Sequence, residues 1–254
     1  MERITSRTNP LMTHVRKLAA SASYRRKSGE FLCDGYKLLQ EARLWNAAVT
    51  TIIFSDEVET PEADAETRLV QVPADVMKSI APSETPQGVL FLCKMAQTPL
   101  PERLEGKHYV VLDGVQDPGN VGTMLRTLDA AGFDALLLGA GTAEPFSPKA
   151  LRATMGAVFR VPVYACDLPQ QLGAIADTHD LYAGALDGKP FFERVRTHPG
   201  VCVIIGNEGA GISNAVYAVP GIQRVKLPMA GGAESLNASV AGAIMVYDIV
   251  RLGK

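Results

Sequence analysis

The sequence predicts an α/β protein in two parts, a small mixed unit followed by a larger one built on a parallel sheet. Three observations predict it. Unbroken apolar runs recur through the second half, at HYVVLDGV (108–115), ALLLG (135–139), FRVPVYA (159–165), LYAGAL (181–186) and VCVIIG (201–206). Helical stretches separate these runs, and strands covered by helices on both faces lose their polar alternation. Between the halves, AQTPLPERLEGK (96–107) is rich in Pro and charge and has no periodicity, which marks a linker. Finally, the 254 residues are 47% apolar and 20% charged, ordinary for a globular protein and enough for one large domain or two smaller ones.

The elements follow in order. Residues 12–27 read as a basic helical stretch. Phe31 and Leu32 begin a strand, and Tyr36 to Trp45 form an amphipathic helix with apolar residues at 38, 39, 42 and 45. TIIFS (51–55) and GVLFLCK (88–94) are short strands. Beyond the linker, strand 108–115 turns through Asp117-Pro118-Gly119-Asn120 into a helix ending at Gly132. Strand 135–139, a helix over Ser147–Gly156, strand 159–165, a helix near 168–176 and strands 181–186 and 201–206 come next. VKLP (225–228) is a short strand, and Ser235 to Leu252 is the final helix. The expected boundaries are 1–95, a linker at 96–106, and 107–254.

Composition narrows the function classes. The net charge of −2 excludes a uniformly basic protein, yet residues 1–27 carry seven bases against Glu2 alone. Arg7, Arg25, Arg26 and Lys27 are thereby candidate phosphate contacts, although a solvated helix face is the commoner meaning of such a cluster. Aromatics at 6% argue against a surface of stacked rings. Cys33, Cys93, Cys166 and Cys202 form no C-x-x-C pair, and the four histidines show no metal spacing. No metal and a reducing cytoplasm are expected. The N-terminus lacks the apolar stretch of a signal peptide. Val240–Val250 is too short to span a bilayer and contains Asp248.

Three strand ends carry the residues that could do chemistry, and ligands on parallel sheets bind there. In DGVQDPGNVGTMLRTLDAAG (113–132), an amide (Asn120) and a guanidinium (Arg126) lie near one helix start. They suit a phosphate or an activated hydroxyl, or they are ordinary helix-surface residues. VIIGNEGAGIS (203–213) ends a buried strand in Gly206-Asn207-Glu208-Gly209. It is neither the dinucleotide fingerprint nor a P-loop, and the glycines fit close approach to a ligand or simply a turn. KLPMAGGAESLNASVAGAIMVYDIVR (226–251) runs through Met229 and Gly231-Gly232 into a helix whose start is crowded by Glu234, Ser235, Asn237 and Ser239. N-capping explains Ser235 alone. It explains Ser235 with Asn237 and the glycine loop less well.

Together the strings N-x-G-x-x-x-R (120–126), G-N-E-G-x-G (206–211) and L-P-M…E-S-L-N-A-S-V-A (227–241) resemble the three motifs of the SpoU (TrmH) class of SPOUT RNA methyltransferases. The resemblance covers about residues 107–252. Residues 1–95, with TNPLMTHVRKL and ETPQGVL (85–90), are similar to the L30e-like substrate-binding domain that often precedes the catalytic one. The resemblance implies a trefoil-knotted domain that homodimerises. It implies S-adenosylmethionine held by Gly206, Leu227, Met229 and Leu236, with chemistry at Asn120, Arg126, Glu208, Ser235 and Asn237. Leu227 stands where the family often has Ile, a swap a backbone contact tolerates.

Methyl transfer from a sulfonium is an in-line displacement, so positioning is the main task. The resemblance implies Arg126 as the proton acceptor, with relay through a substrate phosphate. An arginine is effectively always protonated, so orienting the hydroxyl and a phosphate is the sounder physical role. The expected function is ribose 2′-O-methylation of RNA, with rRNA favoured over tRNA. Base methylation and a non-catalytic RNA-binding homologue are the alternatives.

Overall fold

A computed structural model describes residues 1–96, 99–102 and 104–252. Gln97, Thr98 and Arg103 of the expected linker, and Gly253 and Lys254 of the expected second domain, lie outside the described residues. Two compact units result, Met1–Gln97 with Glu144–Phe159, and Thr98–Ala143 with Arg160–Lys254.

The first unit contains β1 (Glu2–Arg3), α1 (Pro10–Ala20), α2 (Ala22–Ser28), β2 (Glu30–Asp34), α3 (Tyr36–Leu44), β3 (Val49–Ser55), β4 (Arg68–Val72), α4 (Ala74–Ile80) and β5 (Val89–Lys94). Its sheet runs β1-β4-β3-β5-β2, with β5 antiparallel to both neighbours. Strand alternation splits β5 between two cores. Leu90 and Leu92 pack with Met12, Val15, Leu18, Val76 and Ile80. Phe91 and Cys93 pack with Leu38, Leu39, Ala42, Phe31 and Phe54. The basic stretch 12–27 is two helices, because Ser21 is extended (φ −128°, ψ 114°) and its hydroxyl accepts from Tyr24 N–H to start the second.

The second unit contains β6 (His108–Asp113), α5 (Pro118–Ala131) and β7 (Ala135–Leu138). After α6 (Pro148–Thr154) come β8 (Val163–Ala165), α7 (Leu168–Ile175), β9 (His179–Pro190), β10 (Gly200–Gly206), α8 (Asn214–Tyr217), β11 (Ile222–Lys226) and α9 (Ala238–Leu252). The sheet order is β11-β9-β10-β6-β7-β8 and every pairing is parallel. All six carboxyl ends therefore share one edge. Helices α7 and α8 cover one face through Leu168, Leu172, Ile175 and Val216, packed on Val111, Leu137, Ala183 and Ile204. Helix α9 packs against α5. Gly242 allows this approach, since a Cβ there would stand 2.7 Å from Met124 Sδ.

Three expectations change. Packing does not follow a boundary at 107, because α6 belongs with the first unit. Leu151, Phe146, Val158 and Phe159 need an apolar face and find it on Phe31 and its neighbours, with Phe31 and Phe146 rings 4.9 Å apart. The strand expected at 159–165 is only Val163–Ala165, preceded by a 3-10 turn at Ala157–Phe159. The last helix begins at Ala238, three residues later than expected, and Asn237, not Ser235, caps it. Asn237 Oδ1 accepts from the backbone N–H groups of Ser239 (2.9 Å) and Val240 (3.3 Å). Among the described residues no helix is long and apolar enough to cross a membrane.

Candidate active site

The shared carboxyl edge of the second sheet gathers three connections, those after β6, β10 and β11. At the first, Asp117 starts α5 by accepting from the backbone N–H groups of Gly119 (2.5 Å) and Asn120 (3.4 Å), with Pro118 at the first helical position. Asn120 is buried at 9% exposure, so its amide needs partners. It finds them on the other two connections.

Asn120 Nδ2 donates to Glu208 Oε1 at 2.8 Å. Asn237 Nδ2 donates to Asn120 Oδ1 at 3.0 Å. Ser239 Oγ stands 3.2 Å from Asn120 Oδ1 and 2.7 Å from Asn237 Oδ1. The amide orientations follow from chemistry. An ionised carboxylate only accepts, so the Asn120 NH2 must face Glu208, which leaves its oxygen for Asn237 and Ser239. Burial pushes the Glu208 carboxyl up, but hydrogen bonds from Asn120 and from the backbone N–H groups of Glu208, Gln116 and Asp117 outweigh it. The net effect holds the group below its ordinary value.

The β10 connection is pinned. Asn207 Nδ2 donates to Gly114 O at 2.8 Å, and its Oδ1 accepts from the backbone N–H groups of Gly209 and Ala210. Asn207 and Gly211 exchange backbone hydrogen bonds of 2.9 Å. Ser213 N–H donates to Asp113 Oδ2 at 2.7 Å. Gly206 has no room for a side chain, because a Cβ would fall on the backbone of Gly211 and Ile212. Its glycine thus serves the turn before any ligand.

The β11 connection is open. Leu227 is half-buried, while Met229 and Leu236 are exposed at 36% and 38%. Among the described residues, 228–236 make no backbone–backbone hydrogen bond outside helices and strands.

The nine cofactor and catalytic candidates thus divide. Asn120, Glu208 and Asn237 are in direct contact. Gly206 ends β10, and Leu227, Met229 and Leu236 lie on the connection after β11. Ser235 is exposed, and it makes no side-chain hydrogen bond among the described residues. Arg126 lies on the exposed side of α5, six residues past Asn120 and about 120° round the helix from it. Ser239 was visible in the ESLNAS string only as one more small polar residue. Its burial depends on α9 packing against α5, which a single sequence does not display.

The four basic candidates also divide. Arg25 is corrected: it is buried at 4% exposure. It pairs with Glu144 and donates to the carbonyls of Leu18 and Ala19, all within the first unit. A basic side chain so placed pairs with a half-buried acid and caps the end of α1. Arg7 is half exposed and paired with Asp75 at 2.7 Å. Arg26 and Lys27 remain exposed.

Comparison with known proteins matches residues 107–247 to the SpoU rRNA Methylase family and residues 9–90 to an MRM3-like substrate binding domain. The chain is 35% identical to the 23S rRNA (guanosine(2553)-2′-O)-methyltransferase RlmP of Bacillus subtilis, across 98% of this chain and 99% of that one. Among solved structures, it resembles the AdoMet-bound rRNA methyltransferase of Sinorhizobium meliloti (TM-score 0.87, 31% identity, 99% and 98% of the two chains). It also resembles the SpoU methyltransferase AviRb of Streptomyces viridochromogenes in complex with AdoMet (TM-score 0.86, 25% identity, 96% and 98%).

Proposed function

This chain belongs to the SpoU rRNA methylase family, and we propose that it transfers the methyl group of S-adenosylmethionine to a ribose 2′-hydroxyl of ribosomal RNA. The observation that carries the proposal is the contact of Asn120, Glu208 and Asn237. Three motif residues from three separate connections meet within 3.0 Å, at the sheet edge where parallel α/β proteins bind ligands.

The residues fit the cofactor. Met229 and Leu236 offer apolar surface to an adenosine, and the uncommitted backbone of 228–236 offers donors and acceptors to its polar atoms. S-adenosylmethionine supplies an electrophilic methyl group on a sulfonium. The chain's task is to hold the hydroxyl in line and keep water out. Arg126, exposed and without an ion pair among the described residues, is available for a phosphate or hydroxyl of the RNA. Glu208, kept ionised, fixes the Asn120 amide. Ser235 stands on the open connection and completes the proposed catalytic set.

The wider assignment follows. The first unit binds RNA through Arg7, Arg26 and Lys27, and Lys17 joins them as an exposed base of α1. The connections at 207–213 and 227–237 form the family's knot. A homodimer forms through α9, where Val240, Ile244 and Tyr247 expose 47%, 37% and 50% at positions i, i+4 and i+7, one apolar stripe. The cytoplasm is the compartment, consistent with four free cysteines.

The test is methyl transfer from S-adenosylmethionine to 23S rRNA, with 2′-O-methyl mapping of the product. One new ribose methylation is expected. For Arg126→Ala, dimer mass and S-adenosylhomocysteine affinity should be unchanged, while turnover falls about tenfold to several-hundredfold. Product methylated on a base, or full activity of Arg126→Ala, would contradict the assignment.

A further inference from the structure

Ser239 is the second residue of α9 and is 5% exposed. Capping does not require its hydroxyl, because its backbone N–H already donates to Asn237 Oδ1 at 2.9 Å. The hydroxyl instead lies 2.7 Å from Asn237 Oδ1 and 3.2 Å from Asn120 Oδ1. It has one proton and two acceptors, each on a side chain that belongs to the candidate active site. Without it, Asn120 would depend on Glu208 and Asn237 alone, and both of those partners are on exposed connections. Ser239, buried beside Asn120, ties the cap of α9 to the start of α5.

We infer that Ser239 is a positioning residue, which fixes the Asn120 and Asn237 amides for methyl transfer through its hydroxyl and touches neither cofactor nor RNA. The inference rests on the methyltransferase reading above. A small error in amide orientation is enough to lose rate while binding is kept, because transfer depends on alignment. A serine that merely packed would act through stability and would be indifferent to Asn120.

The experiment compares wild type, Ser239→Ala, Asn120→Ala and the double variant. Single-turnover methylation of 23S rRNA, S-adenosylhomocysteine affinity and the Asn120 side-chain amide resonance in a 15N spectrum are measured. Ser239→Ala should slow transfer about tenfold and shift that resonance, with cofactor affinity unchanged within twofold. In the Asn120→Ala background it should slow transfer by clearly less than in wild type, because one of the two amides it fixes is gone. Ser239→Thr, which keeps the hydroxyl, should recover the wild-type resonance position. Independent, multiplicative losses in the double variant would overturn the inference while leaving the methyltransferase reading intact. An unshifted resonance in Ser239→Ala would also overturn it. If wild type methylates no RNA, the function fails. A shifted resonance would then still support the contact, and an unshifted one would remove both.

Discussion

The connections after β10 and β11 leave the same sheet edge, and both are rich in glycine, yet they are held in opposite ways. Residues 207–213 are tied by Asn207 to Gly114, by a backbone pair between Asn207 and Gly211, and by Ser213 to Asp113. Residues 228–236 have no backbone pairing of that kind and expose Met229 and Leu236. Glycine therefore means different things in the two. Gly206 is required by the backbone against which it lies, whereas Gly231 and Gly232 have nothing within 4 Å of a would-be Cβ. One connection is built by the protein, and the other is left for a ligand to organise.

The largest effect should separate those glycines. Gly206→Val forces the 211–212 backbone to move, at a cost of about 3 kcal/mol. Thermal unfolding should occur several degrees lower, and S-adenosylhomocysteine binding should be lost with it. Gly232→Ala should stay within about 0.5 kcal/mol of wild type in stability. Calorimetry of both variants checks this, and equal destabilisation would remove the distinction. Asn207→Ala comes next. It strips three hydrogen bonds from the pinned connection, whose partners Gly114, Gly209 and Ala210 are half-buried or exposed, and should cost about 1 kcal/mol.

The smallest effect concerns pH. Glu208 is held below its ordinary value, so its contribution is complete above the ordinary carboxylate range and is lost as pH falls through the lowered value. Cofactor affinity should stay flat from neutral pH down to that range and weaken below it. Glu208→Gln should abolish that acid limb, because an amide does not titrate and presents an NH2 in place of one of the two accepting oxygens at every pH. A limb unchanged in Glu208→Gln would assign it to another group.

Much of this was readable from the residues. The buried strands 108–113 and 200–206 announced themselves as apolar runs, and the motif strings picked out Asn120, Glu208 and Asn237 before any contact was known. What escaped depended on partners distant in sequence. Arg25 looked like its neighbours Arg26 and Lys27, and its burial rests on Glu144, 119 residues away, together with the carbonyls at the end of α1. Segment 144–159 read as part of the second domain, because periodicity locates a helix without naming the core it joins. The residues pointed to Ser235 as the cap, with the helix starting there. The start of α9 was decided by where Asn237 meets Asn120, 117 residues earlier.

Hydrogen exchange with and without S-adenosylhomocysteine tests most directly the claim that one connection is prebuilt and the other waits for the cofactor. Amides 209–211 should exchange slowly in the free protein and change little on binding. Amides 229–236 should exchange fast when free and become strongly protected when the ligand is added. Protection arising equally in both, or in neither, would contradict it.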